Sequence, residues 1–335
     1  MSGFVHLRVH TEYSLVDSVV RVDALVDAAA GQRMPACAIT DQANVSALVK
    51  FHKLAFERGV KPIVGADVWL AESREDREPT RCTLLCQNRV GFKRLSALLT
   101  KSAVLGTVAG RHVLLKEWLE PAALEGLIGL SGARHGELGR ALAAGRGARA
   151  AELLDRWHEL LPNRFYIELQ RLGRAGEHEY LSRAVELAAA KGVPVVATNE
   201  VCFLGRGDFE AHETRVCIAQ GVTLDDPKRQ RAYSEEQYLK SPAEMETLFA
   251  DLPEAVTNTV EIARRCSLEV DIGKVFLPDF KVDDGSSPRE HLKRGAAAGL
   301  TARLAALGIA AEAAGPYHER LAREIDVICK MGFEG

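Results

Sequence analysis

The chain lacks most of the features that would assign it at sight. No run of apolar residues approaches the ~18 that a membrane-spanning helix needs. The N-terminus passes straight into a strand-like segment, with no charged-then-apolar leader. A soluble, cytoplasmic protein without membrane contact is therefore expected. Neither charge is in excess: 43 Lys and Arg against 46 Asp and Glu leave a formal net charge of -3 over 335 residues. There is no global basic field to gather nucleic acid, so DNA contact is expected to be weak and local at most. Nor is there a disulfide framework. The seven cysteines, Cys37, Cys82, Cys86, Cys202, Cys217, Cys266 and Cys329, are odd in number, scattered and mostly inside apolar runs. That fits reduced, buried thiols. Cys82 and Cys86 lie four apart in a run that reads as a strand, and no second pair completes a zinc site. The glycine-rich stretch 136–147 lacks the spacing of a phosphate-binding loop and reads as a helix boundary.

What is present is an ordinary globular composition, 47% hydrophobic and 27% charged, on a chain long enough for one large domain or two smaller ones. The most informative stretch is FVHLRVH at 4–10. Histidines at alternate strand positions face one side and are a plausible metal chelate. Here the alternating positions read His6, Arg8, His10, and a guanidinium cannot ligate a metal because it offers only donors.

Short apolar runs alternate with amphipathic helical segments through about residue 200. The strand candidates are 4–9, 36–40, 62–70, 83–86, 127–131, 165–169 and 194–198; the helical segments are 21–32, 43–58, 90–101, 150–161 and 177–191. Such βαβα alternation predicts parallel strands with crossover helices, and seven or so units suggest a closed α/β barrel with its active face at the strand carboxyl ends. Polar residues fall there repeatedly: His10, Thr11, Asp41, Gln42, Glu200 and Cys202. Beyond 205 the texture turns helical, at 209–220, 243–249 and 253–266. A proline-, glycine- and serine-rich linker follows at 276–288, then amphipathic helices at 289–307 and 317–331. The apolar ending at 331–335 reads as if a larger protein continued.

Four blocks carry a family resemblance: HLRVHTEYSLVD at 6–17, AITDQAN at 38–44, GVKPIVGAD at 59–67 and VATNE at 196–200. Together they resemble the polymerase and histidinol phosphatase (PHP) domain, in particular the PHP region of the bacterial replicative DNA polymerase III alpha subunits. FEAHE at 209–213, TLDDPK at 223–228 and NTVEIA at 258–263, followed by Cys266, extend the match across the chain. The resemblance implies a seven-stranded β/α barrel over 1–275, the linker 276–288, and the opening helices of a polymerase palm region over 289–335. The palm aspartates that transfer nucleotides, and the magnesium the full-length polymerase would use, lie further on in such proteins.

Metal-binding members of the family hold up to three ions with histidines, carboxylates and a cysteine at the strand ends. Carried over position by position, that ring falls on Arg8 and His10, then Asp17, Gln42, Asp67, Arg81, Ala133, and Glu200 with Cys202. Most nitrogen ligands are replaced while several carboxylates remain, and clustered carboxylates without a cation repel one another. The expectation is that Arg8 and Arg81 supply the missing positive charge, pairing with Asp17, Asp67 or Glu200. Accordingly no tightly bound metal and no phosphoesterase activity are expected. His6 reads as a core or rim histidine; His10 is either a structural remnant or a weak residual ligand. The resemblance further implies a scaffold that stabilises the polymerase and docks the proofreading exonuclease (epsilon) subunit, other replicase subunits binding through absent regions. Two alternatives stay open: an active metal-dependent 3′–5′ exonuclease or phosphoesterase, and a nucleic-acid-binding module. The basic cluster 228–231 reads as a solvated loop with a DNA or partner contact as its alternative, and His212 as a structural hydrogen-bonder.

Overall fold

Seven apolar segments close into a ring in the computed structural model, which describes residues 3–108, 110–229, 231–274 and 280–335. After the extended N-terminal residues come β1 (Ala36–Ile39), β2 (Lys61–Ala71), β3 (Thr80–Cys86), β4 (Thr107–Val108), β5 (Arg111–Leu115), β6 (Leu127–Leu130), β7 (Phe165–Leu169) and β8 (Val195–Ala197). The pairs β1–β2, β6–β7 and β7–β8 are parallel, whereas β2–β3 and β3–β6 are antiparallel. The N-terminal segment closes the ring, bridging β1 at His6–Cys37 and the chain just past β8 at Val9–Val201. All seven expected strand segments take their places in this ring. The hairpin of β4 and β5 is an addition, attached to the end of β2.

The expectation of purely parallel strands is corrected at β3. Residues 72–79 are all that joins β2 to β3, and a parallel crossover needs about a dozen or more. The chain therefore turns back on itself. As a result the first residues of β3 lie at the same end of the barrel as the carboxyl ends of its neighbours.

Every ring segment contributes to one interior cluster: Val5 and Leu7, Ala36 and Ala38, Ile63, Leu85, Ile128 and Leu130, Tyr166, and Val196. Helices fill the connections: α1 (Val22–Gly31), α2 (Leu48–Glu57), α3 (Arg89–Leu105), α4 (Glu137–Ala143), α5 (Gly147–Leu160), α6 (Glu177–Lys191), α7 (Phe209–Gln220), α8 (Pro242–Leu248) and α9 (Pro253–Arg265). Ile262, Ala263 and the following Cys266 join the interior cluster, so α9 plugs the end where the parallel strands begin. Val5 N donates to Thr259 Oγ1 (3.0 Å) and Lys61 Nζ to the Ala263 carbonyl (2.8 Å), fixing that plug.

The N-terminal segment contains one more residue than a regular pairing allows. Ala38 N donates to the His6 carbonyl and Thr40 N to the Val9 carbonyl. Two residues of β1 thus match three of the N-terminal segment, which is a β-bulge. It breaks the alternation of Val5 and Leu7 and turns Arg8 and His10 toward the mouth.

The chain divides into two compact units, Met1–Val270 and Asp271–Gly335. In the second, α10 (Pro288–Ala306) and α11 (Gly315–Met331) pack on each other. The linker expected at 276–288 falls outside the described residues over 276–279. Its end is Ser287, which caps α10 through a reciprocal pair with Glu290. Among the described residues no helix is long and apolar enough to cross a membrane.

Two glycines in helices give opposite expectations. A Cβ on Gly91 in α3 would lie 1.9 Å from the Gly126 carbonyl oxygen, a backbone atom that cannot step aside, whereas one on Gly295 in α10 meets nothing within 4 Å. Gly91→Ala is expected to destabilise by ~1–3 kcal/mol despite the better helix former. Gly295→Ala is expected to stabilise its helix by ~0.5–1 kcal/mol. Urea unfolding of both variants measures the difference.

Candidate functional site

Steps of two residues from the interior cluster lead to charge at the barrel mouth. On β2, Ile63 leads through Gly65 to Asp67; on β3, Leu85 leads back through Thr83 to Arg81; on β7, Tyr166 leads to Glu168; past β8, Val196 leads through Thr198 to Glu200. Antiparallel β3 presents its start here, and the bulge adds Arg8 and His10.

Arg8 is fully buried and lies at the centre. Its Nη2 donates to Asp67 Oδ2 (2.8 Å) and Glu200 Oε1 (3.2 Å), and its Nη1 to both oxygens of Glu168 (3.1 and 3.2 Å). Arg81 donates from Nη1 to Glu200 Oε1 (2.6 Å) and from Nη2 to Asp67 Oδ2. Arg174, in the loop after β7, brings Nη2 within 3.4 Å of Glu200 Oε2. Three guanidiniums (Arg8, Arg81, Arg174) therefore face three carboxylates (Asp67, Glu168, Glu200), and the formal charges cancel. His10 Nε2 lies 3.0 Å from Asp67 Oδ2. Neutral donors complete Glu168: Thr198 Oγ1 at 2.5 Å and Gln170 Nε2 at 3.0 Å. Gln237 Nε2 reaches Glu200 Oε2 at 3.3 Å.

The electrostatics follow. Burial alone would push the Asp67 carboxyl up, but the Arg8 and Arg81 guanidiniums and the His10 hydrogen bond outweigh it and hold Asp67 well below the usual carboxylate range. For Glu200 too, burial opposes the charge and Arg8, Arg81 and Arg174 prevail, so its carboxyl is held far down. Arg8 is raised well above its ordinary value despite complete burial, chiefly by Asp67, Glu168 and Glu200.

The other expected positions lie around this core in different states. Of the acids named as alternative partners for Arg8 and Arg81, Asp67 and Glu200 take that place, and Asp17 Oδ1 accepts from the Tyr233 hydroxyl (2.5 Å). Gln42 is half-buried and contributes backbone, bridging Asp67 and donating its N–H to Ser14 Oγ (3.1 Å). Ala133 is buried with a left-handed backbone (φ 47°). Cys202 is buried, and that burial together with nearby Glu200 pushes its thiol well up. Asp41 is occupied by hydroxyls and an amide: Thr11 Oγ1 (2.8 Å to Oδ2), Ser14 Oγ (2.6 Å to Oδ1) and Thr11 N (2.6 Å to Oδ1). His6 does not share the face of Arg8 and His10, because the bulge separates them; its Nε2 lies 2.8 Å from the Lys240 carbonyl. His212 Nε2 lies 3.1 Å from the Asp17 carbonyl, and Arg229 of the basic cluster pairs with Glu213. Sequence reasoning missed Glu168, Arg174 and Gln237.

This donor set does not fit the metal centre that the family implies. Arg8 and Arg81 offer no lone pair, Ala133 has no donor, and Asp67 Oδ2 already receives Arg8, Arg81 and His10. Among the described residues no group of three or more His, Cys, Asp or Glu side chains is arranged to hold a metal ion.

Comparison with known proteins places this geometry. Residues 6–172 match the PHP domain family. The chain is 50% identical to DNA polymerase III subunit alpha of Pseudomonas aeruginosa, over 99% of the chain and 29% of that protein. It is 46% identical to the Escherichia coli K12 subunit over the same shares, 99% and 29%. The chain thus spans less than a third of the relatives it matches. Among solved structures, an amidohydrolase from Chromobacterium violaceum covers 63% of this chain and 96% of its own at 12% identity and a TM-score of 0.43. The family read from the sequence blocks is borne out.

Removing Arg8 leaves buried Glu168 without an ion-pair partner among the described residues and takes one guanidinium each from Asp67 and Glu200. Arg8→Ala is expected to cost ~3–5 kcal/mol, whereas exposed Arg74→Ala should stay within ~0.5 kcal/mol. The pH dependence carries a sign. Asp67 and Glu200 titrate lower folded than unfolded, so their contribution in the native protein is complete above ~4 and is lost as the pH falls through their folded values. In Arg8→Ala the same carboxyls keep Arg81 but lose Arg8, so they are lowered less. The gap between the two proteins should be widest above about pH 4 and narrow below it, as acid protonates both carboxyls, in denaturant titrations.

Proposed function

The chain carries a PHP domain and matches the N-terminal part of DNA polymerase III alpha subunits over nearly its whole length, and on that premise we propose that it is a metal-free scaffold of the replicative polymerase. In this reading the parent protein is a DNA-directed DNA polymerase that uses magnesium at aspartates beyond this chain. The PHP barrel has given up phosphoester hydrolysis, stabilises the polymerase, and docks the proofreading exonuclease (epsilon) subunit, while other replicase subunits bind elsewhere.

The observation that carries the proposal is the cancellation of charge by fixed guanidiniums at the mouth. Clustered metals would generate hydroxide and absorb phosphoryl charge. Arg8 and Arg81 provide positive charge but no open coordination position. They also occupy the acids a metal would need, Asp67 and Glu200. Asp67 and Glu200 are also poor bases, because their carboxyls titrate so low. A polymerase that borrows its proofreader in trans has no need of hydrolysis here.

Protein purified without chelator should contain zinc and manganese far below one equivalent per chain by elemental analysis. Its thermal midpoint should be unchanged by EDTA. Near-stoichiometric metal with chelator-sensitive release of nucleotides from a 3′ end would establish the hydrolytic alternative instead. Docking is tested separately: the chain and the exonuclease subunit should co-elute in gel filtration, and separate elution at micromolar concentration would refute that part alone.

A further inference from the structure

A cleft of about 790 Å³ opens beside the charged network, between the loops that follow β6 and β7 and the segment 231–234. Arg134, Arg140, Arg174 and Arg231 line it, with His135 and Tyr233. Among the described residues of its lining none is acidic, and alanines and a glycine form most of the remaining wall.

Cationic side chains that share a concavity repel, so their convergence requires anchors. Here the anchors are backbone carbonyls. Arg134 Nη1 donates to the Ala175 carbonyl, and Arg140 donates to the carbonyls of Glu78 (2.7 Å) and Pro79 (2.9 Å). A carbonyl fixes a guanidinium without neutralising it, and the charge stays available to a ligand. Arg174 is shared with Glu200 at 3.4 Å, and its Nε is buried without a partner. Arg231 is exposed at the rim and has no ion-pair partner among the described residues. His135 also registers the local field. Burial, with the cations Arg174, Arg81 and Arg8 and against the pull of Glu200, lowers it to about 4. It is therefore uncharged at neutral pH, and Arg174 Nη1 sits 3.0 Å from its Nε2.

The geometry points to a binding site for an anion that carries two or more contiguous phosphates, free or as the tail of a nucleotide. Guanidinium forks match phosphate oxygens two at a time. A cleft of this volume is the size of a small-molecule site and exceeds a single phosphate. Recognition rests on the phosphates: of the two rings in the lining, Tyr233 packs on His212 (4.6 Å between centroids) with its hydroxyl on Asp17, and His135 Nε2 lies against Arg174. The site shares only Arg174 with the charge-cancelled network and does not depend on the scaffold reading.

Calorimetric titration of the chain at low ionic strength tests it, using tripolyphosphate, ATP, AMP and inorganic phosphate. Tripolyphosphate and ATP should bind with similar affinity, with AMP and phosphate roughly tenfold weaker or more. Arg231→Glu and Arg134→Ala should each weaken tripolyphosphate about fivefold or more, the cost of losing one charge-assisted contact. Exposed Arg323→Glu in α11 should leave it unchanged. Arg231 makes no hydrogen bond or ion pair among the described residues, so an unaltered thermal midpoint in Arg231→Glu separates loss of the site from loss of folding. Absence of saturable binding would overturn the assignment, as would binding indifferent to both cleft substitutions. So would a thymidine oligonucleotide that binds more tightly than tripolyphosphate, since the cleft would then read a nucleic-acid backbone.

Discussion

A guanidinium sealed from water must be met by carboxylates, and the mouth of this barrel is organised around that requirement. Arg8 has no solvent exposure and touches Asp67, Glu168 and Glu200 at once. Each of those acids is buried and would be costly alone. Arg81 and Arg174 balance what Arg8 leaves over. Such a network adds less to stability than its short distances suggest, because desolvation offsets most of the attraction. Its weight lies in the penalty for losing any one member. Even the backbone depends on it: Glu200 is held at φ 45°, a left-handed conformation that costs a non-glycine residue about 1 kcal/mol or more.

Two departures from regularity put the members within reach. With a crossover in place of the short 72–79 turn, β3 would run parallel and bring its carboxyl end, not Arg81, to the mouth. Without the bulge between His6 and Val9, the inward alternation of Val5 and Leu7 would continue to Val9 and turn Arg8 away. The charge balance is thus a property of topology and register as much as of residue type.

The ring itself was legible, because each of its segments is a short apolar run with period-two burial and turn residues on either side. Direction was not read from periodicity, although the length of 72–79 carries that information. Asp67, Arg81 and Glu200 were legible through family motifs, and their pairing through the simple demand for neutrality. Glu168 had a signal that was overlooked: one acid within the apolar run FYIEL, at inward parity with Tyr166. Arg174 and Gln237 sit in irregular segments where no period exists to read. The face expected to be shared by His6, Arg8 and His10 does not extend to His6, since a bulge leaves no trace in composition or spacing; His6 is the buried core histidine expected. Asp17 was one of three alternative partners for the arginines; Tyr233, more than two hundred residues away in sequence, supplies it a neutral donor instead.

Arginine plays two opposite parts within a short distance here, and the partner decides which. Arg8 and Arg81 end on carboxylates, so their charge is consumed. Arg134 and Arg140 end on carbonyls, so their charge is only positioned. Arg174 belongs to both sets, reaching Glu200 on one side and lining the cleft on the other. An anion in the cleft competes with Glu200 for that one guanidinium. Glu200 would still hold Arg8 and Arg81 at 3.2 and 2.6 Å. The core pairing is therefore redundant at the position where the cleft draws on it, which lets the two arrangements share a residue without one dismantling the other.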